Sequence, residues 1–180
     1  MKVLFIEDAD VKTNTSLDMK TQLNKLFETK GYETTTIEIK KSMLASCTGC
    51  FGCWVKTPGE CVSNDLMKVI HKNYLSSDKV VFLTPVVFGQ YGANIKDVFD
   101  RLLANVLPFV KSVNGHSVHP RRYEKYPEEI MIGYNNDISA DEKETFLDMI
   151  AQYRKQVKQA FVIRKQDENK KIIENISKAI

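Results

Sequence analysis

A chain of 180 residues that is 43% hydrophobic and 27% charged carries enough apolar material for one packed domain, which excludes a disordered or fibrous protein. Its 26 basic and 23 acidic residues leave a net charge of +3, with no basic stripe interleaved with aromatics, so nucleic acid is not the expected partner. The longest apolar run, Val80 to Leu83 continuing into Pro85 to Phe88, is too short to span a bilayer; Met1 to Ile6 meets Glu7 and Asp8 too early for a signal peptide, so a cytoplasmic protein is expected.

Lys2 to Ile6 reads as a buried strand, and Asp8 to Thr13 as a polar loop. Asn14, Thr15 and Ser16 offer N-cap side chains to a helix with Leu17, Leu23, Leu26 and Phe27 at helical spacing, stopped at Gly31. Thr35, Ile37 and Ile39 alternate with polar residues as in a second strand. Residues 45 to 62 break the alternation and hold all four cysteines; Ser63 or Asn64 then caps a helix to about Tyr74. Val80 to Leu83 is apolar on both faces, as a central parallel strand is, and a helix from about Asn94 buries Ile95, Val98, Phe99, Leu102, Leu103 and Val106. Residues 108 to 127 are irregular. Ile130 to Ile132 forms a fourth strand closed by Gly133. Ser139 and Glu142 have capping-box spacing ahead of a helix with Phe146, Met149, Ile150 and Tyr153. Phe161 to Ile163 is a fifth strand, and Ile172, Ile173, Ile176 and Ile180 share one face of a last helix.

Strand and helix therefore alternate five times, the pattern of an α/β protein with a parallel sheet and helices on both faces. Residues 1–180 are expected to form a single domain with a cysteine-rich insertion at about 45–62. Ligands of such sheets lie beyond the carboxyl ends of the strands, which directs attention to loops 7–16, 84–93 and 133–139. In the first, a helix N-terminus presents unpaired N–H groups to an anion, although an ordinary helix cap explains the same residues. In the second, Gly89 and Gly92 let backbone approach a flat ligand, and Phe88 and Tyr91 can pack on a ring. A strand ending in a Pro–Gly loop is the plainer alternative.

Cys47, Cys50, Cys53 and Cys61 give C-x2-C-x2-C-x7-C. Three cysteines at steps of three with a fourth further on follow the ligand logic of a [4Fe–4S] cluster, with Phe51 and Trp54 placed to shield it. Zinc, a reversible disulfide pair and free thiols remain open on spacing alone. His116 and His119 lack a carboxylate spaced to join them as metal ligands. His71 reads as a surface or core residue, and Arg121 and Arg122 as solvated or subunit-contact residues.

Pro85, Val86, Phe88 and Gly89, followed by Lys96 and Asp100-Arg101, resemble the NADPH-dependent FMN reductase group of flavodoxin-like proteins. The cysteine spacing and the segment His119 to Pro127 resemble the iron–sulfur flavoproteins of the same fold. The resemblance implies a three-layer sandwich on a five-stranded parallel sheet of order 2-1-3-4-5. It implies FMN held by Thr13, Asn14, Thr15 and Ser16 at the phosphate and by Pro85, Val86, Val87, Phe88, Gly89 and Tyr134 at the ring, with no catalytic side chain. It also implies a [4Fe–4S] cluster on the four cysteines and NAD(P)H or a ferredoxin-like donor as the source of electrons. A homodimer or homotetramer is implied, with Tyr123 and Tyr126 against a partner subunit. The alternatives are a cluster-free FMN or quinone reductase and a non-catalytic zinc- or thiol-containing interaction domain. Two departures stand out. Val87 replaces the group's usual tyrosine, and Glu7-Asp8-Ala9-Asp10 replaces its Gly-Ser-Pro-Arg, so weaker FMN affinity is expected.

Overall fold

The computed structural model of the chain describes residues 1–113, 115–154 and 156–180. In chain order it has β1 (Lys2–Asp8), α1 (Asn14–Thr29), β2 (Glu33–Ile39), a 3-10 turn (Lys41–Met43), α2 (Gly52–Val55), α3 (Met67–Ser76), β3 (Lys79–Val87) and β4 (Gln90–Tyr91). It continues with α4 (Ala93–Arg101), a 3-10 turn (Leu102–Asn105), β5 (Lys111–Val113), β6 (His116–Val118), β7 (Glu128–Tyr134), α5 (Ala140–Tyr153), β8 (Val157–Ile163) and α6 (Glu168–Ala179). The main sheet runs β2-β1-β3-β7-β8 with every neighbour parallel, and β4 folds back antiparallel onto β3. This is the expected flavodoxin-like order.

Side chains two apart on a strand share a face, and that period builds the three layers. Leu4, Ile6, Val80, Phe82 and Met131 point to one side, where Met67 and Ile70 of α3, Ile95 and Val98 of α4 and Phe146 and Ile150 of α5 cover them. Val3, Phe5, Val81, Leu83, Ile130 and Ile132 point to the other side, against Met19, Leu23 and Phe27 of α1 and Ile172 and Ile176 of α6. The strands read as apolar on both faces because both faces are covered. No helix among the described residues is long and apolar enough to cross a membrane.

Several local expectations are corrected. The N-cap of α1 is Thr13, whose side chain accepts from Ser16 N–H at 3.0 Å while Ser16 Oγ accepts from Thr13 N–H at 3.0 Å. Leu17 is exposed, and Met19 takes the buried position. Asp65 rather than Ser63 or Asn64 serves the start of α3, accepting from Met67 N–H at 3.0 Å. α4 ends at Arg101, and Leu102, Leu103 and Val106 follow it in or beyond the 3-10 turn. Residues 108 to 127 contain the hairpin β5–β6. β7 continues through Gly133 to Tyr134, where a Cβ on Gly133 would lie 2.6 Å from Val86 Cγ2. β8 starts at Val157, four residues before the expected strand. The side chain of Tyr153, expected on the buried face of α5, lies outside the described residues.

The Ser139–Glu142 capping box of α5 is present as expected, with Glu142 N–H donating to Ser139 Oγ at 3.1 Å and Ser139 N–H to Glu142 Oε2 at 3.0 Å. Ser139→Ala is expected to lower stability by about 1 kcal/mol, read as a lower urea midpoint at an unchanged slope.

Candidate flavin and cysteine sites

The carboxyl ends of β1, β3 and β7 converge on one edge of the sheet. Tyr134 at the end of β7 is buried and donates its hydroxyl to the Val11 carbonyl of the first loop at 2.6 Å. Burial raises its pKa, and the carboxylates of Asp8 and Glu7 raise it further, so the phenol stays a donor. Asn135 donates to the Val86 carbonyl at 2.9 Å, which ties the β7 end to β3.

The first loop is closed by its own acids. Asp8 is buried, and its Oδ1 accepts from Asp10 N–H at 2.9 Å, Val11 N–H at 3.1 Å and Asn94 Nδ2 at 3.1 Å. Asp10 accepts from Lys41 N–H at 2.8 Å and Asn94 Nδ2 at 3.0 Å, and these two donors hold its carboxyl below the usual range. Glu7 points to the opposite face, where Lys20 bonds to it and Lys12 Nζ lies 3.7 Å away. The two buried acids are thus satisfied inside the protein, and loop amides of the kind an anion would use are held by Asp8.

The second loop is a hairpin with a two-residue turn. Val87 pairs with Gln90, and the intervening Phe88 and Gly89 have φ of 50° and 72°, the left-handed pair of a type I′ turn. Glycine takes this conformation freely, whereas phenylalanine is strained in it. Phe88 is nonetheless 88% exposed, so packing of its side chain does not explain the strain. Phe88→Gly is expected to raise stability by about 1 kcal/mol while weakening flavin binding, measured by thermal unfolding and by fluorescence titration with FMN.

Between the first loop and this hairpin lies a groove of about 590 Å³, lined by Asp8, Asp10, Pro85, Val87, Gln90 and Asn94, with Lys41 and Lys96 among its walls. Of the residues expected to hold a flavin, Pro85 and Val87 line it; Val86 is buried and Tyr134 stands behind the first loop. Phe88 and Gly89 form the hairpin tip. Thr13 to Ser16 sit at the start of α1, where the capping box engages the Thr13 and Ser16 amides and leaves those of Asn14 and Thr15 as the first-turn donors. Asp8, Gln90 and Tyr91 fall in the loops expected to meet a ligand, whereas Lys41 and Asn94 belong to the groove without having been expected there. The only signal in the sequence was their place after a strand.

The cysteine loop lies between β2 and α3. Cys47, Cys50, Cys53 and Cys61 all line one recess of about 40 Å³, closed on one side by Arg101 and Leu103. Cys50 is exposed, and the Gly52 amide, then the Thr48 side chain, lower its thiol pKa. Burial pushes the Cys53 thiol up, and nearby Cys61, Cys47 and Cys50 add to the rise. Among the described residues no three His, Cys, Asp or Glu groups stand at metal-holding spacing.

The loop is anchored from outside. Trp54 donates to the Val106 carbonyl at 3.0 Å and the Leu103 carbonyl at 3.2 Å, and its ring lies 5.4 Å from Phe51 and 5.1 Å from His119. A Cβ on Gly59 would come within 2.6 Å of Tyr123 Oη, so the 119–127 segment packs directly on this loop. Phe51, in the wall of the recess, has φ of 53°; with Phe88 it makes the pair of non-glycine residues at positive φ among those described, one in each candidate site.

Arg101 was expected only as part of the Asp100-Arg101 motif. Its side chain is 1% exposed and forms a two-pronged pair with Asp65, at 2.6 Å and 2.8 Å, and donates to the Ala45 carbonyl at 3.0 Å. Its Nε has no partner, although it is buried in a residue that lines the cysteine recess. A buried, unpaired N–H beside four thiols fits an anionic, sulfur-bearing occupant. The groove and its two lysines fit a flat anionic ligand, and the first-turn amides of α1, outside the groove's own lining, are the donors left for a phosphate.

The sheet order and the convergent strand ends define a flavodoxin-like α/β protein. Residues 1–120 match the NADPH-dependent FMN reductases, and the chain belongs to that family. It is 30% identical over 139 residues to the iron-sulfur flavoprotein of Archaeoglobus fulgidus, covering 77% of this chain and 62% of that protein. It is 33% identical over 72 residues to the iron-sulfur flavoprotein of Methanosarcina thermophila, covering 40% of this chain and 37% of that one. The chain thus spans less than two-thirds of the length of either relative. Among solved structures, the NAD(P)H:quinone oxidoreductase from Methanothermobacter marburgensis superposes with a TM-score of 0.67 at 10% identity, covering 99% of this chain and 94% of that one. The azoreductase from Bacillus anthracis str. Sterne gives 0.63 at 16% identity, covering 99% and 96%. At such identities these structures establish the shared fold.

Proposed function

We propose that this protein is an NAD(P)H-dependent flavin oxidoreductase that binds FMN at the sheet edge and a [4Fe–4S] cluster on Cys47, Cys50, Cys53 and Cys61. The observation that carries the cluster is the common recess of the four cysteines with the unpaired Nε of buried Arg101 in its wall. Family membership and the groove between the first loop and the β3–β4 hairpin support the flavin. When bound, FMN supplies hydride acceptance from a nicotinamide, and the cluster supplies one-electron storage.

The chain's own residues bind and orient. Thr13, Asn14, Thr15 and Ser16 hold the phosphate through the start of α1, and Pro85, Val86, Val87, Phe88 and Gly89 carry the ring. Tyr134 fixes the first loop through Val11. Residues 1–180 act as one domain, with 45–62 as the cluster-bearing insertion. Exposed Phe109, Val110 and Val113 give a second copy an apolar surface for a homodimer or homotetramer.

A cluster-free FMN or quinone reductase is the second reading, favoured by the spacing of the thiols, no three of which stand at metal-holding distance among the described residues. Quantitation of iron, sulfide, zinc and flavin on one anaerobic sample separates the readings. About four iron and four sulfide per FMN are expected. One FMN without iron moves the assignment to the cluster-free reductase. Protein that takes up no flavin from excess FMN overturns both.

Asp8→Asn keeps the shape of the first loop and removes a charge from beside the phosphate. It is expected to tighten FMN binding about tenfold and to leave binding of phosphate-free riboflavin unchanged, as followed by calorimetry. Equal effects on both flavins would remove the charge argument.

A further inference from the structure

A groove of about 700 Å³, larger than the one at the flavin edge, opens near the amino end of β7, with Glu129 and Arg154 at its floor. Glu129 is 0% exposed and lies near the start of β7. Its Oε2 accepts from Arg154 NH2 at 2.7 Å, and its Oε1 accepts from the same nitrogen at 3.0 Å and from the Tyr74 hydroxyl at 2.5 Å. The guanidinium carbon of Arg154 lies 3.9 Å from the centre of the Phe99 ring. Phe99, Leu103, Val106 and Tyr126 supply further aromatic and aliphatic wall. Volume and lining both fall in the range of small-molecule sites.

Two polar groups in this groove are incompletely paired. Arg154 Nε is buried without a partner. Asn105, 3% exposed, meets His71 Nδ1 at 3.0 Å; because His71 Nε2, 3.1 Å from the Arg101 carbonyl, donates to it, Nδ1 of the neutral ring accepts from the Asn105 amide N–H, and the amide oxygen is left without a partner. Buried polar groups in native proteins are almost always satisfied, so an unsatisfied donor and an unsatisfied acceptor in a single roomy groove point to a ligand. The charge of the floor is already balanced, because Glu129 and Arg154 cancel. Asp100, also in the wall, is paired with Lys96, so a charged ligand would lose its hydration there and gain no free counter-ion. An uncharged one with a carbonyl satisfies the Nε–H of Arg154. The Asn105 oxygen accepts from an N–H, so a head carrying both a carbonyl and an N–H satisfies the two groups together.

We propose that this groove binds an uncharged aromatic molecule bearing an amide or imide head, with its ring against Phe99, Leu103 and Tyr126 and its head against Arg154 and Asn105. The site stands apart from the flavin edge. At one end it reaches Cys47 and Gly49 of the cysteine loop, so an occupant lies beside that loop.

Benzamide is the probe and benzoate its charged control. Each is added to the full chain as purified, with excess FMN present to occupy the sheet edge, and binding is read by saturation-transfer NMR on the probe's ring protons. Benzamide is expected to give a saturable signal, with benzoate at least tenfold weaker. Arg154→Lys keeps the charge opposite Glu129 and removes Nε. Val118→Trp, on the exposed β5–β6 hairpin, fills the groove without touching its floor. Each is expected to raise the half-saturating benzamide concentration at least tenfold while the circular dichroism spectrum is unchanged. An absent or non-saturating benzamide signal, an equal benzoate signal, or a folded variant with wild-type binding would overturn the proposal. Because FMN uptake is followed on the same sample, failure here is distinguishable from failure of the flavin reading.

Discussion

Arg101→Met is expected to cost about 3–5 kcal/mol of folding stability, because it removes one partner of a buried ion pair and leaves the other charged. The side chain of Asp65 is 18% exposed and that of Arg101 is 1% exposed. With the guanidinium gone, Asp65 retains the Ala45 amide at 3.0 Å and the Met67 amide at 3.0 Å but no counter-charge. Burial by itself would raise the Asp65 pKa, yet Arg101 and those two amides more than offset it and hold the folded carboxyl below the usual aspartate range. A depressed carboxyl contributes stability that is present above its unfolded pKa and lost as the pH falls through the folded one. The wild type should therefore lose this contribution below about pH 4, and the variant should show a flatter acid limb. Urea unfolding at pH 7 and pH 3 measures both effects. A loss under 1 kcal/mol at pH 7 would mean the pair behaves as a solvated surface bridge. On the proposed function the same variant also loses iron, because Arg101 lines the cysteine recess; Arg101→Lys, which keeps the charge without the planar fork, should recover stability more than iron.

That pair illustrates what the sequence withheld. The first and third expected strands announced themselves through four apolar residues in succession, the second through alternation and the last two through three apolar residues each, and parallel order followed from the alternation with helices. The Ser139–Glu142 box was legible because both partners lie within one turn. Arg101 and Asp65 are 36 residues apart, and nothing local joins them. At the first helix, four capping-competent residues stand in a row from Thr13 to Ser16, and only the extended backbone of Thr13 selects it. The hairpin at Phe88-Gly89 was hidden for the opposite reason. Its turn requires two left-handed residues, and a phenylalanine in the first position argues against such a turn until the backbone is seen. Glu7 and Asp8 were legible as a departure from the family's first loop. Their burial and internal pairing were not, because Lys20 arrives from α1 and Asn94 from α4. Local chemistry was readable at both candidate sites; the long-range partners that neutralise or strain it were not.

Glu129→Leu is expected to destabilise by a similar 3–5 kcal/mol, and here the companion double variant makes the argument sharper. Glu129 is fully buried with both oxygens engaged, so leucine strands the Arg154 guanidinium and the Tyr74 hydroxyl together. Burial and the Glu129 carboxylate both raise the pKa of Tyr74, so the phenol remains a donor and its orphaned O–H adds to the loss. Arg154 keeps its contact with the Phe99 ring, which offsets only part of a buried charge. Glu129→Leu with Arg154→Leu removes both charges and should recover more than half of the stability, as buried pairs replaced by apolar side chains of similar volume do. Chemical unfolding of wild type, both single variants and the double variant closes the cycle. Additive losses would show that the two side chains act independently and that the floor of the groove is not the neutral pair on which its preference for uncharged ligands depends.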